Sequence, residues 1–61
     1  MLNIYDRVKI KSKNICGTIV DVYTVNNYTK FVVESDVPNI DDGYGGKWKL
    51  FDCDESDIIL L

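Results

Sequence analysis

The dipeptide Asn26-Asn27 sits between two β-rich runs, Thr18-Ile19-Val20-Asp21-Val22-Tyr23-Thr24-Val25 and Tyr28-Thr29-Lys30-Phe31-Val32-Val33-Glu34. Asparagine tolerates the positive φ that a two-residue hairpin turn requires, so the segment predicts a β-hairpin. Closing the turn by pairing Val25 with Tyr28 fixes the register. Val22 then falls opposite Phe31, Val20 opposite Val33 and Tyr23 opposite Lys30. Val20, Val22, Phe31 and Val33 share one face, and Asp21, Tyr23, Lys30 and Glu34 share the other. Turn chemistry and hydrophobic pattern therefore agree.

The flanking segments extend this pattern. Asp6-Arg7-Val8-Lys9-Ile10-Lys11 alternates strictly, predicting a half-buried strand with Val8 and Ile10 inward and Arg7, Lys9 and Lys11 outward. A polar turn, Ser12-Lys13-Asn14, follows. Gly17 then opens the first arm of the hairpin, and a glycine there suggests a bulge or a close backbone approach. Residues 36–46 hold the chain's one proline and three of its four glycines, predicting a long, mobile loop. Alternation resumes at Lys47-Trp48-Lys49-Leu50-Phe51 with Trp48 and Leu50 inward, which makes Trp48 the leading core candidate. Asp54-Glu55-Ser56-Asp57 suits one helical turn before Ile58-Ile59-Leu60-Leu61.

A chain of 61 residues accommodates one core, and a domain of this size buries only about 60% of its unfolded surface. No segment shows helical spacing over ten or more residues, and five short strands are best served by a small closed or partly open barrel that hides its edges. Asp6-Arg7-Val8-Lys9-Ile10 followed by Gly17-Thr18-Ile19-Val20-Asp21-Val22 resembles the opening of KOW-type and other SH3-like barrels. Trp48-Lys49-Leu50, the polar turn and Asp57-Ile58-Ile59-Leu60-Leu61 resemble their short helical turn and last strand. The resemblance covers nearly the whole chain. It implies an all-β fold, a five-stranded SH3-like barrel over residues 1–61 with at most one short helical turn before the last strand. Tyr5-Asp6 is similar to the start of peptide-binding SH3 domains. The paired tryptophan of the middle strands and the proline-asparagine-tyrosine segment are missing, so the polyproline groove does not carry over.

Several function classes lose ground on residue content. The chain has no histidine, which removes the commonest general base and the usual triad partner. Carboxylates at Asp41, Asp42, Asp52, Asp54, Glu55 and Asp57 fall in turn-like segments where they hydrogen-bond locally. Gly43-Tyr44-Gly45-Gly46-Lys47 lacks the spacing of a phosphate loop, and Asp41-Asp42-Gly43 fails the calcium-loop template. No catalytic residue, metal site or cofactor is expected. Cys16 and Cys53 stand 37 positions apart, without zinc or redox spacing, and read as reduced, partly buried thiols, with a disulfide open if the fold brings them together. No apolar run reaches the roughly 18–20 residues of a membrane span. The first residues show no secretory pattern, so a cytoplasmic, membrane-free protein is expected.

Two binding surfaces remain. Tyr23, Val25, Tyr28 and Val32 fall on the hairpin face away from the core, and with Tyr44 of the loop they form a candidate protein-binding patch. Arg7, Lys9, Lys11 and Lys13 recur every second residue, about 7 Å apart along a strand, a spacing suited to a phosphate backbone. The KOW-type resemblance points toward nucleic acid as well, since many such modules touch RNA or ribosomal partners. Charge weighs against it. Residues 1–30 carry five basic and two acidic side chains, residues 31–61 two basic and eight acidic, for a net −3, whereas nucleic-acid binders usually show a dominant basic surface. A non-enzymatic protein-binding or adaptor module is therefore expected, with nucleic-acid contact as the alternative and oligomeric state open. Acidic groups around its face would mimic phosphates. Richness in Asn, Ile, Lys, Asp and Tyr, with neither His nor Gln, suits a low-GC bacterium or its phage, and hence a phage or mobile-element accessory protein that modulates a host protein.

Overall fold

The computed structural model describes residues 2–61. Its strands are β1 (Arg7–Ile10), β2 (Ile15–Val25), β3 (Tyr28–Ser35), β4 (Leu50–Asp54) and β5 (Ile58–Leu60), with one 3-10 turn at Glu55–Asp57 between β4 and β5. They form a single antiparallel sheet in the order β4-β3-β2-β1-β5. The all-β reading and the one helical turn are as expected. The sheet is not closed: β4 and β5 are its two ends and are not hydrogen-bonded to each other. No helix among the described residues is long and apolar enough to cross a membrane.

The hairpin turn forms as its chemistry dictates. Asn26 and Asn27 both take positive φ, 51° and 69°, the type I′ geometry whose twist matches the flanking strands. Val25 pairs with Tyr28, Tyr23 with Lys30 and Val22 with Phe31. The expected pairing of Val20 with Val33 is not made. A β-bulge between Ile19 and Asp21 inserts Val20 as an extra residue, so Ile19 stands opposite Val33, and Ile19 instead of Val20 is fully buried. Bulges bend a strand and increase its twist. This one lets β2 pair with β1 at one end and extend as a hairpin arm at the other.

Every strand contributes to the core: Val8 and Ile10 from β1, Ile19 from β2, Phe31 and Val33 from β3, Phe51 and Cys53 from β4, and Ile58 from β5. The β4 assignment corrects the expectation for Trp48 and Leu50. The strand starts at Leu50, and its register sets Phe51 against Val33 and Cys53 against Phe31. Phe51 and Cys53 therefore point inward, Leu50 is half-buried, and Trp48 lies before the strand at 45% exposure. Likewise β1 ends at Ile10, leaving Lys11 and Lys13 in the turn that follows.

Both cysteines are free. Burial pushes the Cys53 thiol up to about 11, helped by the nearby charges of Asp57 and Asp52. An unfolded thiol ionises first as pH rises, so Cys53 favours the folded state less and less from the ordinary thiol range up to about pH 11. Chemical denaturation between pH 8 and 11 is expected to show a stability loss that Cys53→Ala lacks; identical pH slopes for the two proteins would contradict it.

Candidate protein-binding face

Strand pairing lays out the outer face of the sheet in rows, because side chains opposite one another share a face. One row runs Asp21, Val32, Asp52 across β2, β3 and β4. The next runs Tyr23, Lys30, Asp54, and the last, at the hairpin tip, pairs Val25 with Tyr28. Lys30 is tied across to Asp54 at 2.5 Å. This face is therefore acidic and aromatic, its cation already matched.

Two tyrosines meet at Asp52. The Tyr44 hydroxyl donates to its carboxylate at 3.0 Å. Burial, the negative charge of Asp52 and a hydrogen bond to it raise the Tyr23 phenol above its ordinary value. Tyr44 also sits above its ordinary value, from burial first and then Asp52. The backbone delivers Tyr44 to this place: its N–H and C=O pair with Leu50, at 3.1 and 2.7 Å, folding the Gly-rich loop back beside β4. Both hydroxyls thus reach the row that holds Val32.

That arrangement corrects one member of the expected patch. Val32 lies on the outer face, as its parity requires, but it is buried at 7% exposure. It supports the face from beneath, between Asp21 and Asp52. Tyr23 is half-buried, Tyr44 is exposed, and Val25 and Tyr28 are 47% and 70% exposed. The hairpin tip is thus the open part. Tyr28 lines two shallow, open clefts there, one of about 550 Å³ with Asn27, Thr29, Asp54, Glu55 and Ser56, and one of about 360 Å³ with Val25, Asn26, Lys30 and Asp54. Asp52, Asp54 and Glu55 belong to this face, although the sequence marked them only as turn residues.

The basic residues are not brought together as one stripe. Arg7 is paired with Asp36. Lys13 is paired with Asp42 at 2.5 Å, and its ammonium stands 5.4 Å from the centroid of the Phe51 ring. That contact raises Lys13 and lowers Asp42 relative to their ordinary values, through the shared hydrogen bond first. Lys9 projects from the outer side of β1 opposite Cys16 and Ile59, and Lys11 is exposed in the turn. Among the described residues no three His, Cys, Asp or Glu side chains gather as a metal site.

No family model matches the chain, no curated protein matches it and no solved structure matches it. The functional reading therefore rests on the residues themselves.

Proposed function

We propose that this chain is a non-enzymatic protein-binding module of the SH3-like barrel class, and that its partner seats on the outer face of the β2–β3 hairpin. The observation that carries the reading is Tyr28, 70% exposed and paired with Val25 at a turn formed by two positive-φ asparagines. A large aromatic surface with a polar tip, displayed without a covering group, suits interface anchoring, where tyrosine is enriched. Tyr23 stands in the next row and Tyr44 meets Asp52 in the row beyond, and Asp52, Asp54 and Glu55 form an acidic rim that favours a basic partner. The barrel class is supported by the strand order β4-β3-β2-β1-β5 and the single 3-10 turn before the last strand. A phage or mobile-element origin, with a host protein as target in the cytoplasm, is supported by composition alone.

The alternative, nucleic-acid contact through Arg7, Lys9, Lys11 and Lys13, has weaker support, because two of the four cations are matched by Asp36 and Asp42. Affinity capture from a low-GC bacterial lysate, with and without nuclease, separates the two. The protein-binding reading expects a specific protein that survives digestion and is lost by at least tenfold with Tyr28→Ser or Tyr23→Ser, while the thermal midpoint of the Tyr28 variant stays unchanged. Capture that vanishes with nuclease and falls steeply with salt would replace it with the nucleic-acid reading.

A further inference from the structure

β5 is an end strand, and the hydrogen-bond phase of its open edge is set by β1. Leu61 N–H donates to Arg7 O at 2.9 Å and Lys11 N–H to Asp57 O at 2.8 Å, with Lys9 opposite Ile59 between them. Residues 57, 59 and 61 therefore aim their backbone groups at β1. Antiparallel pairing alternates, so Ile58 and Leu60 aim theirs outward. The Ile58 N–H is taken by Glu55 O. Leu60 keeps both an outward N–H and an outward C=O.

Its side chain is equally unfinished. Leu60 stands opposite Val8 and so lies on the core side of the sheet, yet Val8 is fully buried while Leu60 is 51% exposed. Ile59 and Leu61 are 45% and 64% exposed. Natural edges are usually blunted by charge, proline or a covering segment. The opposite edge, β4, has two such devices: Asp52 and Asp54 along it, and Tyr44 paired to Leu50. The side chains of residues 58–61 are all uncharged, and none is proline.

We propose that β5 pairs antiparallel with β5 of a second copy about a two-fold axis, Leu60 opposite its own symmetry mate, joining two sheets into one of ten strands. In this register each Leu60 N–H meets the other Leu60 C=O, and both groups are without a hydrogen bond among the described residues. The two Leu60 side chains extend the buried row begun by Val8 and cover each other, and Ile59 of each copy stands opposite Leu61 of the other. Charge selects this edge over β4. Pairing two β4 strands would bring Asp52 and Asp54 of both copies together, whereas here the two Lys9 residues are three strand spacings apart, roughly 14 Å, beyond the screening length at physiological salt. A closed two-fold contact of this isologous kind is the commonest form of homo-oligomer. One short strand per copy buries far less than a standard interface, so the dimer is weak and populated at roughly 0.1–1 mM.

Sedimentation equilibrium from about 10 μM to about 1 mM tests it. The wild-type mass is expected to climb from one chain toward two and no further. Leu60→Pro removes an N–H that no bond among the described residues uses, at an edge position where proline is tolerated. Leu60→Lys keeps that N–H but sets two charges face to face. Both are expected to stay monomeric with an unchanged circular dichroism spectrum, and if the proline variant unfolds, the lysine variant decides. A wild-type mass that never leaves one chain, growth beyond two chains, or variants that associate as the wild type does would each overturn the proposal.

Discussion

Phe51→Ala is expected to cost about 3–5 kcal/mol and to leave most of the chain unfolded, while Trp48→Ala costs under about 1 kcal/mol. The contrast follows from where β4 begins. Phe51 is 4% exposed and opposite fully buried Val33, within a core to which all five strands contribute. Removing its ring leaves a cavity that a sheet of this register cannot close, because the flanking Cys53 and Val33 are fixed by their own pairings. A domain of 61 residues has a total stability of roughly 3–9 kcal/mol, so the loss takes most or all of it. Trp48 lies outside β4, 45% exposed, with the Lys47 ammonium 5.6 Å from its ring centroid. Its removal forfeits a solvent-side contact. Urea denaturation followed by far-ultraviolet circular dichroism, which does not depend on the tryptophan, measures both. A larger loss for Trp48→Ala than for Phe51→Ala would shift β4 by one residue and exchange its two faces.

The same pair of residues shows where sequence reasoning reaches and where it stops. The hairpin was legible because turn and pattern are separate signals that coincide: Asn26-Asn27 demands positive φ, and Val22, Phe31, Tyr23 and Lys30 fall where that turn sends them. In β4 no turn pins the phase. Trp48 and Leu50 form one apolar alternation, Phe51 and Cys53 another, and cross-strand pairing to Phe31 and Val33 decides between them. The bulge at Val20 was hidden for a related reason. Ile19 and Val20 are both β-branched and apolar, so either suits the inward position and alternation does not choose. Parity puts Val32 on the correct face, but parity alone does not tell that a side chain there is 7% exposed. The candidate face divides in the same way. Tyr23, Val25 and Tyr28 belong to the hairpin and were readable, whereas Asp52, Asp54 and Glu55 arrive from the far end of the chain through a sheet order that local pattern does not encode.

Gly17→Ala is expected to destabilise the domain by about 3 kcal/mol, near the upper end for one methyl group forced into a packed interior. Gly17 is paired on one side with Val8 of β1 and on the other with Ser35 of β3, so the strand is enclosed where the sheet bends. A Cβ built there would run into Glu34 O and lie 2.7 Å from Val33 Cγ1 and 3.0 Å from Glu34 C. Two of those atoms are backbone, held by the β2–β3 ladder, and the third belongs to a fully buried side chain. No rotamer change clears the clash; β3 must move away from β2, which loosens pairing next to the core residues Ile19 and Val33. The sequence marks this glycine as a bulge or a close approach, and the close approach is its role, since the bulge falls at Val20. Gly46→Ala is the matched control: nothing lies within 4 Å of its Cβ position, so the substitution is expected to be neutral or to stabilise by up to about 1 kcal/mol through the unfolded state. Denaturation midpoints that fall equally for the two variants would mean that β3 does not pass Gly17 this closely, and the pairing of Gly17 with Ser35 would have to be abandoned.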